Sequence, residues 1–291
     1  MQLGRLSAIT VTYNPNLADG RLEQQLREVR SHVELHLLVD NGSQNADRLE
    51  ALVSSIDRGE GRTRLVRLGS NLGIGDAINR GVATLQAEHR AEWILLLDQD
   101  TGFYPDSFDQ LGRELSGIEA GDRIAVIGFN YRTHHFNREG SHNPSGRPAA
   151  MRMTITSGSL VRASILAEQP LDGGLYLYAV DTEYCYRLRN RGYEILVLAA
   201  AAIDHRESER LVVNGAPRWF LQPYRLFYVT RNSFTVSSRY SSLRPALFSL
   251  YLVYMNLVAH VDPRASTGYA FRGFLAFLRG DRTGPAPAQS P

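Results

Sequence analysis

Two aspartates one residue apart, Asp98 and Asp100, close the apolar run WILLLDQD (residues 93–100). In extended backbone, residues two apart point to the same side, so both carboxylates can face one crevice. Like charges that close raise each other's pKa unless a cation lies between or beside them. Hard oxygen donors suit Mg2+ or Mn2+, and Mg2+ takes one or two carboxylates, completing its shell with water and substrate phosphates. The competing reading is an acidic turn that caps the helix after Pro105. A second acidic pair, Asp181 and Glu183, stands at the start of a helical segment. It is either a helix cap or contains a general base near a reacting centre. His205 ends a further strand, in AIDHRES, and becomes a third metal ligand if the fold brings it near Asp100.

Two more stretches carry polar chemistry. In VDNGS, Asp40 can accept a hydrogen bond from a base or ribose, while Asn41–Gly42 can simply turn the chain. NLGIGDAINRG (residues 71–81) is glycine-rich but lacks the phosphate-loop lysine and the dinucleotide spacing, which argues against a P-loop enzyme or a Rossmann dehydrogenase. Its glycines would let backbone approach a diphosphate or ribose.

These residues need elements to position them. Residues 6–13, 34–41, 63–69, 93–100 and 124–130 read as strands, and 18–31, 46–55, 75–87 and 105–115 as helices. That alternation predicts an α/β fold with a mostly parallel sheet flanked by helices, whose ligands bind beyond the carboxyl ends of the strands. TYN, DNGS, NLG and DQD all fall at such ends and would line one crevice. Residues 132–152 read as a long polar loop, 154–161 as another strand, 182–190 as a helix stopped by Gly192, and the following strand ends near His205. The segments PYRLFYVTRNSFTVSSRY and LYLVYMNLV read as helices, and DRTGPAPAQSP as a disordered tail.

Composition bounds the partners. The 291 residues are 43% hydrophobic with net charge +2, ordinary for one α/β domain with an extension. After His205 eleven arginines face four acids, so the C-terminal part is basic, pointing to anionic lipid or a charged substrate rather than nucleic acid. The single cysteine, Cys185, excludes an internal disulfide and a cysteine-only metal site and fits a reducing compartment. No secretory signal pattern opens the chain, and no uninterrupted apolar run reaches the ~18 residues of a spanning helix.

In order, TYNP, VDNGS, NLGIGDAINRG, LLLDQD, SGSLV and VDTEYCYRLRNRGYEI with a downstream histidine resemble the inverting family 2 glycosyltransferases of GT-A fold. LDQDTG, LYAVDTEYCYRL and PYRLFYVTRNSF look most like the bacterial rhamnosyltransferase branch, which uses dTDP-L-rhamnose. The resemblance runs from about Leu6 to Gly280. It implies a catalytic domain over 1–210, its nucleotide half ending about 102 and its acceptor half covering about 103–210, then a helical region at 211–280 and a tail at 281–291. Thr12, Tyr13 and Asn14 would border the nucleotide, Asp40 would recognise the base, and Asn71, Gly73 and Asn79 would lie along the nucleotide sugar. Asp98 would orient the ribose or a water ligand. Asp100 would bind Mg2+ or Mn2+, with His205 completing the site. Asp181 stands where the family's Glu–Asp pair places its base. Val180 replaces the preceding Glu, which leaves Glu183 as a possible second acid. Ser157, Gly158, Trp219, Arg225 and Arg231 would meet the acceptor.

The implied reaction moves a sugar onto a hydroxyl of a cell-envelope polysaccharide, such as an O-antigen, or a lipid-linked saccharide. A single base and direct displacement invert the anomeric centre. The expected location is cytoplasmic, peripheral on the inner face of the membrane. The C-terminal aromatic helices would contact membrane, form a homodimer, or pack as a small subdomain. Rival readings are a UDP-sugar donor, a non-catalytic nucleotide-sugar-binding subunit, and a nucleotidyltransferase, which would want a basic glycine-rich loop near the N-terminus.

Overall fold

LSAITVT, Leu6–Thr12, is buried at all seven positions, as a central strand must be when helices cover both faces of its sheet. It forms β1. The computed structural model describes residues 3–88, 91–119, 121–135, 138–204, 210–213 and 216–282. The chain divides into two compact units, Met1–Leu171 with Tyr184–Arg206, and Asp172–Glu183 with Glu207–Pro291.

The first unit continues with α1 (Arg21–Arg30), β2 (Leu35–Asp40), α2 (Ala46–Asp57), β3 (Thr63–Arg67), α3 (Ile74–Glu88) and β4 (Trp93–Asp98). Then come β5 (Gly102–Phe103), α4 (Ser107–Ser116), β6 (Ile124–His135), β7 (Arg138–Ser141), β8 (Ala149–Ala150), β9 (Ser159–Arg162) and α5 (Ala163–Glu168). Helix α6 (Val180–Asn190) starts in the second unit and ends in the first, followed by β10 (Glu194–Asp204). The main sheet runs β3-β2-β1-β4-β9-β6-β10-β5, with β7 added on β6 and β8 on β10. On one side, Leu22 and Leu26 of α1 and Leu49 and Val53 of α2 pack on Leu38 of β2. Another cluster joins Leu95, Leu97, Phe129, Leu198 and Ile203.

Register aligns the strand ends. Thr12 pairs with Asp40, Asp40 with Arg67, and Val11 with Asp98. The parallel expectation holds across β3, β2, β1 and β4, but β9 enters antiparallel to both β4 and β6, so the whole sheet is mixed. The strand expected over 154–161 is extended only from Ser159, because Gly158 turns the backbone at φ 73°. A side chain there would also meet Ile203 Cδ1 at 2.6 Å.

The expected loop at 132–152 is instead partly paired. β6 runs on to His135 and returns as β7, and β8 pairs with β10. Backbone pairing needs no apolar period, so a polar run conceals it. β10 is irregular where its pairing with β6 shifts between Val197 and Ala202. There the Glu114 carboxylate accepts the N–H groups of Ala199, Ala200 and Ala201 at 2.8, 3.1 and 2.9 Å. These are donors that would otherwise be left without a partner.

The second unit contains the hairpin of β11 (Arg210–Val213) and β12 (Ala216–Trp219), then α7 (Pro223–Arg239), α8 (Arg244–Val258) and α9 (Pro263–Arg279). Leu226 and Val229 of α7 pack with Leu221 and Ala270. Asp172–Glu183, which the expected boundary near 210 leaves with the sheet, groups with these helices. Of the expected tail, Arg282 is held in place: it pairs with Asp172 at 2.8 Å and its carbonyl accepts from Arg231, while 283–291 lie outside the described residues.

Candidate active site

The DQD turn after β4 is held by its backbone. Gln25 Nε2 donates to the carbonyls of Asp98 (2.7 Å) and Thr101 (2.8 Å). The Asp98 N–H donates to Ser157 Oγ at 3.1 Å, and the Ser157 and Thr101 hydroxyls bond each other. Gln99 Oε1 accepts the Tyr13 N–H at 2.8 Å, tying the turn to TYN. Asp98 is half-buried and Asp100 exposed. A fixed backbone with an exposed carboxylate is the arrangement a ligand-binding turn needs, since little ordering remains to be done on binding.

Gln25 was not among the residues expected at the site. Its signal was present: Leu22, Gln25, Leu26 and Val29 form the buried stripe of α1, and one member is polar. Its Oε1 accepts from Thr10 Oγ1 at 3.0 Å, and Thr10 bonds His36 Nε2 at 2.9 Å. This buried chain leads from mid-sheet to the DQD turn. Burial lowers the His36 pKa from 6.5 to about 3, so the ring is neutral. Between those values the unfolded chain binds the extra proton; stability is therefore full above pH 6.5 and falls as pH drops toward 3. Going from pH 6.5 to about pH 5 should cost about 2 kcal/mol from this group. Urea unfolding at both pH values should show that loss in wild type and a flatter response in His36→Gln.

Beside the turn, Thr12 is buried, and Tyr13 and Asn14 are exposed. Asn14 takes φ 46°, its N–H donating to Ser43 Oγ at 2.8 Å and its Oδ1 accepting from the Gln44 N–H at 2.8 Å. Asp40 is 2% exposed and accepts the Ser43 N–H at 3.1 Å. A carboxylate so placed keeps further lone pairs for a donor on a base. Gly42 (φ 85°) is required here, because a Cβ would lie 2.7 Å from Ser70 backbone. Asn41 shapes the stretch from Asn71 to Gly73: its Oδ1 accepts the Leu72 N–H at 2.8 Å and its Nδ2 donates to Asn71 Oδ1 at 3.0 Å. Asn71 Oδ1 also accepts the Gly73 N–H at 3.0 Å.

Asn79 has another task than the one expected. Its amide bonds both the C=O (2.9 Å) and the N–H (3.0 Å) of Leu171, pinning the chain where the first unit ends. Ser157 and Gly158, expected at the acceptor, are buried supports of the turn and of β9.

The donor set suits a small hard cation. Among the described residues no hydrogen-bond or ion-pair partner meets the Asp100 carboxylate, and no three His, Cys, Asp or Glu side chains cluster. One exposed carboxylate fits an ion that draws its remaining ligands from phosphate and water, as Mg2+ does. His205 lies outside the described residues; Asp204 before it pairs with Gly102, two residues from Asp100.

In the second unit, the approach to Asp181 is strained. Tyr176, Tyr178 and Ala179 take φ of 59°, 64° and 59°, the left-handed region that costs non-glycine residues about 1–3 kcal/mol each. Asn232 clamps the segment: its Nδ2 donates to the carbonyls of Leu175 (2.6 Å), Leu177 (2.7 Å) and Tyr178 (3.0 Å). Arg231, 2% exposed, donates to the carbonyls of Gly174, Leu175 and Arg282 and to Asn232 Oδ1. Arg231 thus builds the segment that carries Asp181 instead of facing solvent for an acceptor. Asn232→Leu strands buried carbonyls and should cost about 3 kcal/mol in urea unfolding.

Asp181 is half-buried at the start of α6, its Oδ1 accepting the Thr182 N–H at 2.7 Å. Glu183, the alternative acid, is 1% exposed, paired with Arg239 at 3.0 Å and accepting the Tyr240 hydroxyl at 2.5 Å. Burial and that carboxylate push the Tyr240 hydroxyl up to about 12. A carboxylate sealed in this way is a structural anion. Arg225 is half-buried, its guanidinium 3.3 Å from the Tyr224 hydroxyl and 3.4 Å from that of Tyr178. Trp219 lies on β12, in register with Arg210.

A mixed α/β sheet with aligned polar strand ends and a carboxylate turn after β4 is the architecture of the GT-A nucleotide-diphospho-sugar transferases. The chain belongs to glycosyl transferase family 2, whose model matches residues 7–164, and it is a glycosyltransferase. It is 27% identical over 261 residues to the dTDP-rhamnosyl transferase RfbF of Shigella flexneri, covering 84% of this chain and 85% of that one. Among solved structures it resembles GalNAc-T7 with UDP, GalNAc and Mn2+ (TM-score 0.57, 13% identity). That match covers 95% of this chain but only 56% of the other. It also resembles the mannosyltransferase PcManGT of Pyrobaculum calidifontis in complex with GDP-Man and Mn2+ (TM-score 0.56, 12% identity), with 98% and 77% covered. At those identities the two structures speak for the fold alone.

Proposed function

We propose that this protein transfers L-rhamnose from dTDP-L-rhamnose, with inversion, to a hydroxyl of a cell-envelope polysaccharide or a lipid-linked saccharide. The observation that carries this reading is the DQD turn: its backbone is held by Gln25 and Ser157, the Gln99 side chain ties it to Tyr13, and Asp100 projects to solvent. The rhamnose donor is supported by the likeness to the Shigella relative over most of both chains.

In this reading Thr12, Tyr13 and Asn14 border the nucleotide and Asp40 accepts from its base. Asn71 and Gly73 shape the backbone against the diphosphate sugar, and Asp98 orients the ribose. Asp100, with His205, would hold Mg2+ or Mn2+, which supplies charge to neutralise the leaving diphosphate. Asp181 takes the proton of the acceptor hydroxyl as its oxygen bonds the anomeric carbon from the face opposite the leaving group. The anomeric C–O bond breaks and nucleoside diphosphate departs with the electron pair. An alcohol is a poor nucleophile at neutral pH, so this proton transfer is the step that needs a side chain. The enzyme would work in the cytoplasm, on the inner face of the membrane where a lipid-linked acceptor is presented.

The test is incubation with dTDP-L-rhamnose, Mn2+ and a lipid-linked saccharide, with the product linkage determined by NMR. An inverted rhamnosyl product supports the reading. Product from UDP-sugars alone would replace the donor, and dTDP binding by calorimetry without product would make the chain a binding subunit.

A further inference from the structure

Helix α8 presents an apolar outward face. Two of its polar side chains are buried: Ser249 is 0% and Asn256 1% exposed, and Asn256 bonds both the N–H (2.9 Å) and the C=O (2.7 Å) of Leu221. Some of its apolar side chains, Leu252 and Val253, pack inward on Leu221, Leu226 and Val229, but others face outward. Leu243 just before the helix, then Leu247, Leu250 and Tyr254, are between 52% and 76% exposed. Steps of four, three and four place them on one stripe. Phe248 beside it, and Phe271 and Leu278 of α9, are exposed too. A helix face in water is normally polar, and an outward apolar stripe of this kind marks a contact site.

Charge selects the occupant. Between Leu243 and Arg282 the charged residues are Arg244, Arg264, Arg272, Arg279 and Arg282 against two acids, Asp281 and Asp262, the latter capping α9 through the Ala265 N–H at 3.0 Å. A symmetric contact with a second copy sets each patch against itself, gathering more arginines than acids. Anionic headgroups supply the missing charge, and the region beneath them accepts leucine and tyrosine. Arg272 lies over the Tyr269 ring at 4.2 Å and, with Arg279, Phe227 and Asp281, lines an open pocket. No described helix is long and apolar enough to cross a membrane.

We propose that the outward faces of α8 and α9 form a docking surface for an anionic lipid bilayer, with the leucine stripe in the interface and the arginines at the headgroups. The inference is independent of which sugar is transferred.

The test is sedimentation of the full chain with vesicles of phosphatidylcholine alone or mixed with phosphatidylglycerol. Wild type should bind the mixed vesicles about tenfold or more better, with the advantage shrinking at high salt. Leu247→Ser/Leu250→Ser should lose about tenfold in binding, and Arg272→Gln/Arg279→Gln about tenfold on mixed vesicles only. All four positions are exposed, and melts by circular dichroism check that both variants fold. Wild type staying in solution with both vesicles overturns the proposal. So does a dimer in light scattering that Leu247→Ser/Leu250→Ser makes monomeric, which would assign the face to a second copy.

Discussion

Asp100→Ala loses about a hundred- to a thousandfold in metal-supported transfer yet unfolds in urea within about 0.5 kcal/mol of wild type. The two halves of this expectation have one cause. The DQD turn keeps its shape through the backbone bonds of Gln25 and Ser157, so removing an exposed carboxylate costs the fold almost nothing. What is removed is the charge that would hold Mg2+ or Mn2+ against the leaving diphosphate, whose developing negative charge must be neutralised before the bond can break. Initial rates across a Mn2+ titration, run beside equilibrium unfolding, give both quantities. A variant with wild-type turnover and unchanged metal response would take Asp100 out of the site.

Asp181→Asn is expected to lose about a thousandfold in kcat while binding dTDP within about twofold of wild type. Asparagine keeps an oxygen for the Thr182 N–H that Asp181 accepts at 2.7 Å, so the first turn of α6 should stay intact. It cannot take a proton. The ascending limb of the kcat–pH profile, which reports deprotonation of the base, should flatten in the variant. The strained backbone before Asp181, with Asn232 clamping three carbonyls, points the same way: costly geometry is held at this position. Calorimetry with dTDP and steady-state kinetics separate the terms. A variant with full activity would hand the proton to another group.

How far these residues could be read in advance depended on what kind of pattern each left. LSAITVT and WILLLD announce buried strands because continuous apolar runs ended by turn residues have few other uses. TYN, DNGS and DQD at successive strand ends announce a crevice because a parallel sheet aligns those ends. Other features left weaker marks. Gln25 and His36 were single polar residues in apolar stripes, visible as exceptions but with no partner named. The continuation of β6 past Asn130 and its return as β7 left no periodic signal. Arg231 looked like a hand extended to an acceptor because arginines usually face water; only its burial reverses that.

The sequence alone thus determined the α/β class, the chain of strand-end motifs and the candidates Asp98, Asp100 and Asp181, since these depend on residue type and local spacing. Tertiary structure decided the direction of β9, the assignment of Asp172–Glu183 to the helical unit, the sealing of Glu183 by Arg239 and Tyr240, and the outward face of α8. The physical reason is that a linear pattern states which residues would gain from burial or pairing. Which distant residue meets that need is set when the backbone closes, by partners such as Arg239 and Tyr240 lying 56 and 57 positions from Glu183.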